Sequence, residues 1–134
     1  MSWNHGIIEE FRANAGKVGG YFAGGNLLLL HTTGAKSGTE RVNPVMYFME
    51  GDQYVIIASK SGAPTNPDWY YNLVAHPDAE IEVGTEQFAV TAAEVPEPER
   101  TRLYEKMETF RDSFTEYKQK TTRAMPVFKL TRKS

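Results

Sequence analysis

The residues best suited to binding chemistry lie between positions 34 and 41. Two glycines frame the short loop 34–38, and glycine-rich turns expose backbone N–H groups that can bind an anion. Lys36 and Arg41 add two positive charges, and Ser37 adds a hydroxyl. These groups could together hold a phosphate or a carboxylate tail, although a plain surface hairpin explains the loop as well. It is not a P-loop, because no Lys-Ser/Thr pair follows the second glycine, and no G-x-G-x-x-G fingerprint for a nicotinamide cofactor occurs.

Two later segments add polar and aromatic groups. Residues 58–62 end a strand-like run with small, polar and cationic side chains that could hydrogen-bond the polar edge of a ligand. Residues 66–72 begin like a helix, with Asn66 as the N-cap, Pro67 in the first position and Asp68 in the first turn. A helix start favours anions, and aromatic faces suit a planar ring. The stretch from 31 to 72 therefore predicts an anion-binding loop beside an aromatic helix start, which could hold an anionic ligand that carries a planar ring.

Two residues of the aromatic segment also have a simpler interpretation. Trp69 and Leu73 lie four positions apart on the helix that begins near Asn66, so they fit the buried face of that helix. On this interpretation they are core residues and need not contact a ligand. We expect the helix to end near Ala75, because His76 precedes a proline and is disfavoured in the helical region.

The elements around these segments predict a small antiparallel barrel. An apolar run at 27–30 predicts a strand buried on both faces, and two hairpins are expected around residues 51–52 and Gly84. The helical segments are 2–14, which glycines at 16, 19 and 20 should end, and 103–117, interrupted near Asp112. The strand-like runs are 27–30, 41–49, 53–59, 79–83, 87–93 and 126–130. Strands do not alternate strictly with long helices, which argues against a doubly wound parallel sheet. The predicted fold class is mainly β with flanking helices.

Composition excludes several other kinds of site. The 134 residues include no cysteine, which excludes disulfides, thiolate catalysis, iron–sulfur clusters and zinc fingers. The three histidines lie far apart and lack the spacing of metal ligands, so no metal is expected. Net charge is −2, but from Tyr117 onward the chain has six bases and no acid. That basic end suits an anionic ligand, a phosphate group or a membrane surface, or it is a solvated tail.

Size and sequence pattern predict one cytoplasmic domain. The length suits a single core, with an N-terminal amphipathic helix and linker over residues 1–20 and a barrel domain over 21–134. The N-terminus carries Glu9 and Glu10 and does not resemble a signal peptide, and no 18-residue apolar run predicts a membrane span. We expect a small-molecule partner, no nucleic acid, and a monomer or homodimer.

Four motifs in register resemble those of the deazaflavin-dependent nitroreductase family. They occupy residues 32–38, 41–44, 58–60 and 66–72 and have the order and spacing of that family. The resemblance covers residues 27–130. It implies a six-stranded split β-barrel related to the flavin-mononucleotide-binding barrels. It also implies that the cofactor is reduced coenzyme F420, a 5-deazaflavin that carries a phosphate and an oligoglutamate tail.

The resemblance also implies which residues hold this cofactor. The loop and the arginine of the first two motifs would bind the phosphate and the oligoglutamate tail. Segments 42–46 and 57–60 would line the deazaflavin ring, and the helix start at 68–72 would complete the pocket. The residues so implied are Ala35, Lys36, Ser37, Arg41, Val42, Asn43, Pro44, Val45, Met46, Ile57, Ala58, Ser59, Lys60, Asp68, Trp69, Tyr70, Tyr71 and Asn72.

The implied reaction is hydride transfer to an electron-poor acceptor such as a quinone or an α,β-unsaturated carbonyl compound, for example a coumarin-like lactone. Ser59 is the candidate catalytic hydrogen-bond donor, and Tyr117 is a candidate for substrate contact or proton delivery. Phe114 stands where relatives that reduce nitroimidazole prodrugs carry a tyrosine, so it is a substrate-face residue without a proton to donate. Reduction of nitro compounds is therefore not expected. The alternatives are an FMN-dependent oxidoreductase on the same barrel and a non-catalytic deazaflavin carrier.

The N-terminal helix has three possible contacts. Trp3, Ile7 and Phe11 form an apolar stripe that could meet a membrane surface, the barrel or a second subunit. The short length and the two glutamates favour packing over membrane contact.

Overall fold

The computed structural model describes residues 3–17 and 26–133, which contain one closed antiparallel barrel of six strands with four helices around it. The strand order is β1-β2-β3-β6-β5-β4. The strands are β1 (Leu27–Thr33), β2 (Glu40–Glu50), β3 (Gln53–Ile57), β4 (Asp78–Val83), β5 (Glu86–Glu94) and β6 (Val127–Arg132). The helices are α1 (Trp3–Ala13), α2 (Asp68–Ala75), α3 (Glu99–Phe110) and α4 (Ser113–Lys120). The predicted barrel with flanking helices is confirmed.

The inner cluster of side chains fills the barrel. All six strands contribute to it at alternate positions, because successive side chains of a strand point to opposite faces. Helix α2 closes one end of the barrel by inserting Trp69 and Leu73 into this cluster. The core interpretation of these two residues is confirmed, since only 7% and 1% of their surfaces are exposed.

The outer layer lies between the barrel wall and the remaining helices. It is formed by the opposite faces of β1, β2, β3 and β6 together with Phe11 of α1, Leu103 and Met107 of α3, and Phe114 and Tyr117 of α4. Apolar burial on this side offsets part of the entropy lost when the helices dock. The barrel wall thus separates two apolar environments, and side chains of adjacent residues on one strand belong to different ones.

The break between α3 and α4 falls at residues 111–112, close to the predicted position. Phe110, however, does not join the buried face of α3. It ends α3 with 56% of its surface exposed, and its ring stacks on Phe48 with the centroids 5.5 Å apart. The change of helix direction turns the last residue of α3 away from the core, while Phe114 and Tyr117 remain inside.

The start of α2 differs from the prediction by one residue. Pro67 rather than Asn66 occupies the N-cap position, and no side chain caps the helix. The amide oxygen of Asn66 accepts a hydrogen bond from the Arg123 guanidinium instead. A charged donor 57 residues away is a stronger partner than a backbone N–H, and it draws the side chain from the helix end.

Helix α1 packs on the barrel, which is the contact that its length and charge favour. Phe11 is 1% exposed, and Ile7 and Ile8 pack against the outer layer. Gly16 follows the helix with φ of 90° and lies close to Gly84. A Cβ on Gly16 would be 2.9 Å from the Cα of Gly84. The predicted break at residues 19 and 20 lies outside the described residues. Among the helices that the structure describes, none is long and apolar enough to span a membrane.

An ionic cluster fastens α1 to β4. The guanidinium of Arg12 donates two hydrogen bonds to the Glu82 carboxylate, at 3.2 and 2.7 Å. A ring nitrogen of His31 lies 2.6 Å from the same carboxylate, and the other lies 3.0 Å from Glu40. Hydrogen bonds from Arg12 lower the pKa of Glu82 from its ordinary 4.5, and His31 lowers it further.

We expect Glu82→Gln to destabilise the fold by about 1–3 kcal/mol near neutral pH, because a charge-assisted hydrogen bond is lost. A carboxylate with a depressed pKa stabilises the folded state above its ordinary pKa, and this contribution fades as the pH falls through the lowered value. The difference in Tm between wild type and variant should therefore shrink below about pH 4.5. Thermal denaturation monitored by circular dichroism from pH 7 to pH 3 measures it, and a constant difference would contradict the assignment.

Candidate functional site

The loop between β1 and β2 is closed by its own hydrogen bonds. The N–H of Gly34 donates to the carbonyl of Thr39 at 2.8 Å, and the N–H of Gly38 donates to the carbonyl of Gly34 at 2.9 Å. The Ser37 hydroxyl accepts from the N–H of Thr39 at 3.2 Å and lies where a Cβ on Gly34 would be. Fewer N–H groups are thus open to an anion than the glycine content indicates. Those without a partner among the described residues belong to Lys36 and Ser37.

The two cations of this region are exposed and unpaired. Within residues 3–17 and 26–133, the side chains of Lys36 and Arg41 have no ion-pair or hydrogen-bond partner. Arg41 pairs with Thr32 in the β1–β2 register, at the end of the barrel that α2 closes. The neighbouring Glu40 contacts His31. This end of the barrel therefore presents positive charge that no acid among the described residues neutralises at short range.

Asn72 joins the loop to α2 and β1. Its side-chain Nδ2 donates to the hydroxyl of Thr32 at 3.0 Å, and its Oδ1 accepts from the N–H of Ala35 at 2.9 Å. Asn72 is 7% exposed. It lies in the motif implied to bind the cofactor, and in this structure its amide groups hold the loop in place.

The segment after β3 forms a tight turn that packs against α4. Ser59 is half-buried, and its hydroxyl makes no capping bond to the 3₁₀ turn Lys60–Gly62. Lys60 has φ of 47°, an uncommon conformation for a residue with a side chain. Gly62 has φ of 81°, and a Cβ there would lie 2.8 Å from the carbonyl oxygen of Tyr117. Strained backbone of this kind is concentrated at functional sites.

The residues implied to line the deazaflavin ring separate into two groups. Val42, Met46 and Ile57 belong to the outer layer, on the same side as Phe114 and Tyr117. Val45 and Ala58 belong to the inner cluster. Trp69, from the helix start implied to complete the pocket, belongs to the same cluster, and Tyr70 packs against it. Because successive side chains of β2 point to opposite faces of the barrel wall, Pro44 lies with the outer group and Asn43 with the inner group. The side chains of the two groups therefore lie on opposite faces of the barrel wall.

The remaining implied residues flank this arrangement. Asp68 is exposed in the first turn of α2, and Tyr71 is 50% exposed. Tyr70 and Tyr71 meet edge to face with centroids 5.1 Å apart. Burial raises the pKa of the Tyr70 hydroxyl, which lies 3.5 Å from a carboxylate oxygen of Glu94.

Both predicted substrate-face residues are deep in the outer layer. Phe114 is 4% exposed and Tyr117 is 7% exposed, with their rings 5.1 Å apart. The hydroxyl of Tyr104 donates to the carbonyl of Phe114 at 2.7 Å and fixes the start of α4. Burial raises the pKa of Tyr104, so this hydroxyl remains a donor.

Arg123 is the site-region residue that sequence reasoning missed. It lies in an irregular segment between α4 and β6, and its guanidinium bonds to the carbonyls of Ala58, Ser59 and Ala63. A single arginine in such a segment has no local pattern that could reveal partners about 60 residues away. Among the described residues, no group of His, Asp and Glu could hold a metal ion.

Comparison with known proteins identifies the family of this chain. The model of the F420H(2)-dependent quinone reductase family matches residues 4–132. The chain belongs to this family. It is therefore an oxidoreductase by family, and the resemblance carried by the four motifs is confirmed.

Individual known proteins are also similar to this chain. An F420H(2)-dependent quinone reductase of Mycobacterium tuberculosis is 42% identical over 127 residues, which are 92% of this chain and 85% of the relative. A solved F420-H2-dependent reductase is 36% identical to this chain, with a TM-score of 0.71. The match covers 78% of this chain and 93% of the solved chain. A solved structure described as a domain-swapped dimer is 33% identical to this chain, with a TM-score of 0.72. The match covers 94% of this chain and 92% of the solved chain.

Proposed function

We propose that this protein transfers a hydride from reduced coenzyme F420 to quinones. The observation that carries the proposal is the position of two unpaired cations, Lys36 and Arg41, at the barrel end where Asn72 also joins α2 to the 34–38 loop. A cofactor with a phosphate and several carboxylates needs such fixed charges. α,β-Unsaturated carbonyl compounds such as coumarin-like lactones are the second acceptor class, and nitro compounds are the least favoured.

The donor set fits the tail of this cofactor. Lys36 and Ser37 offer backbone N–H groups, and the side chains of Lys36 and Arg41 offer charge-assisted hydrogen bonds. Loop closure by Asn72 restricts these donors before binding, which lowers the entropy lost when an anion binds. For the ring, we favour the outer group of Val42, Pro44, Met46 and Ile57, with the inner group supporting the wall.

When bound, the reduced deazaflavin supplies the hydride, from C5 of its ring. In this proposal the Ser59 hydroxyl donates a hydrogen bond to the acceptor oxygen that gains negative charge. The same oxygen takes a proton to complete the two-electron reduction, and Tyr117 is the candidate route for that proton, directly or through water. Phe114 packs against Tyr117 and shields the reaction from solvent.

The experiment is anaerobic mixing of the protein with reduced coenzyme F420 and a water-soluble quinone, followed by absorbance of the oxidised deazaflavin. Oxidation well above the rate without protein supports the proposal, and a rate equal to background contradicts it. A yellow purified protein that is active with reduced FMN would indicate the flavin alternative. Tight equilibrium binding of F420 without turnover would indicate a carrier.

We expect Ser59→Ala to lower kcat for quinone reduction about tenfold, since it removes one hydrogen bond to developing charge. The Kd for F420 should change little, because the cations of the 34–41 region supply most of the binding energy. Steady-state kinetics and a fluorescence titration separate the two effects. Ser113→Ala, at the start of α4, is the matched control and should leave both constants unchanged. A loss of kcat below twofold in Ser59→Ala would remove Ser59 from the reaction.

We also propose a domain organisation, a location and an assembly for the protein. We place the cofactor domain at residues 21–134, preceded by the helix and linker of residues 1–20, in the cytoplasm. A homodimer is the assembly we favour, because a relative 33% identical is described as a domain-swapped dimer. Light scattering after size-exclusion chromatography measures the mass.

A further inference from the structure

Arg123 holds together the segment that follows β3. Its Nη1 donates to the carbonyl of Ala58 at 3.0 Å and to the side-chain oxygen of Asn66. Its Nη2 donates to the carbonyls of Ser59 at 2.8 Å and Ala63 at 3.0 Å, and its Nε donates to Ala63 at 3.2 Å. A guanidinium has five N–H donors, so every one of them is used on residues 58–66.

The partners of Arg123 are unusual for a cation. All of them are neutral oxygens, and no carboxylate of the described residues forms an ion pair with it. Burial lowers the pKa of the guanidinium. Surface arginines usually pair with acids, whereas here the planar fork fixes the shape of a backbone loop.

The loop needs such support. Lys60 and Gly62 both have positive φ, and the 3₁₀ turn has only two internal backbone bonds, from Gly62 to Ser59 and from Ala63 to Lys60. Glycine adopts positive φ without strain but lysine does not, so without a brace Lys60 would relax to a commoner conformation. Arg123 contacts the backbone on both sides of the turn, at Ser59 and at Ala63.

We propose that Arg123 is the positioning residue of the cofactor site: it fixes the 58–66 segment so that Ser59 and Lys60 meet the cofactor and the acceptor in one orientation. This inference rests on the proposed function for the identity of the ligand, and it assigns to Arg123 no contact with that ligand. The same guanidinium orients Asn66, next to the start of α2. Arg123 therefore couples two of the four motifs that the sequence places apart.

The test compares Arg123→Lys with wild type. Lysine keeps the charge but has three donors on one nitrogen, which cannot reach both sides of the turn. In the cofactor-free protein, hydrogen–deuterium exchange should become faster in peptides covering 58–66 and remain unchanged in β1, β4 and β5. In a fluorescence titration well below the Tm, the Kd for F420 should rise about tenfold, since a small displacement of a site weakens binding strongly.

Arg102→Lys is the matched control. Arg102 lies on α3, and its partners are Glu50 and Glu99 rather than the 58–66 segment. This variant should keep wild-type exchange at 58–66 and wild-type affinity. Wild-type protein that fails to bind F420 contradicts the proposed function, while the exchange measurement still tests the brace. The positioning role is overturned if Arg123→Lys is folded and binds F420 as wild type does. It is also overturned if hydrogen exchange in this variant is faster throughout the chain.

Discussion

Replacing Lys36 and Arg41 together by glutamine is expected to raise the Kd for coenzyme F420 about a hundredfold at low salt. Each side chain is exposed and without a partner among the described residues, so no existing ion pair must be broken on binding. A hydrogen bond to a charged group is worth about 1.5 kcal/mol, which corresponds to roughly a tenfold change per residue. Glutamine keeps a polar, flexible side chain at these two exposed positions, so the fold should be unaffected.

Ionic strength distinguishes direct contact of Lys36 and Arg41 with the cofactor from general attraction between opposite charges. The Debye length falls from about 30 Å at 0.01 M to about 8 Å at 0.15 M salt, so exposed charges lose most of their long-range effect. We expect the affinity of wild type to fall with added salt and that of the double variant to fall much less. Fluorescence titration at both ionic strengths measures this difference.

Lys17→Gln combined with Arg132→Gln removes the same charge elsewhere. Both residues are exposed, and Arg132 lies on β6 near Glu86. This control should keep the wild-type Kd within about twofold, because it changes the net charge but not the loop. If both double variants weaken binding equally, the cations at 36 and 41 do not contact the cofactor and the tail site must lie elsewhere.

Sequence pattern predicted the elements because their signals are local. Alternating or continuous apolar runs identify the strands, and Gly51 and Gly84, with φ of 63° and 59°, occupy the hairpin turns. Short connections bring β1, β2 and β3 together and β4 and β5 together, whereas the β1–β4, β3–β6 and β5–β6 pairings join strands that are distant in sequence and close the barrel. The end of α2 was equally predictable, since His76 precedes a proline and leaves the helix with φ of −136°.

Several features of the fold and of the candidate site could not be predicted from the sequence, because they depend mainly on contacts between residues far apart in the chain. Asn66 has the signature of an N-cap, but Arg123 takes its side chain, and the separation of 57 residues is invisible to a local pattern. The inner and outer groups of ring-lining residues are adjacent in sequence, and only the closed barrel assigns them to opposite sides of the wall. The glycines of the 34–38 loop indicated open N–H groups, whereas local bonds engage those of Gly34 and Gly38, and the distant Asn72 engages that of Ala35.

Asn72→Leu is expected to destabilise the folded protein by about 2–4 kcal/mol and to weaken F420 binding. Leucine has a similar volume but leaves the N–H of Ala35 and the hydroxyl of Thr32 without their partner. Each buried polar group that loses its hydrogen bond costs about 1–3 kcal/mol. The loss also frees the 34–38 loop from α2, so the donors at Lys36 and Ser37 must be ordered again on binding.

Urea denaturation gives the change in unfolding free energy, and titration at a temperature where the variant is folded gives the Kd. Asn14→Leu is the matched control, because the Asn14 amide is exposed and bonds only to the carbonyl of Glu10 within its own helix end. It should change stability by no more than about 0.5 kcal/mol. Thr32→Val removes one of the two bonds of Asn72 and leaves the bond to Ala35, so it should lower stability while F420 affinity stays near wild type. If Thr32→Val weakens binding as much as Asn72→Leu, the β1 contact rather than the loop contact controls the site.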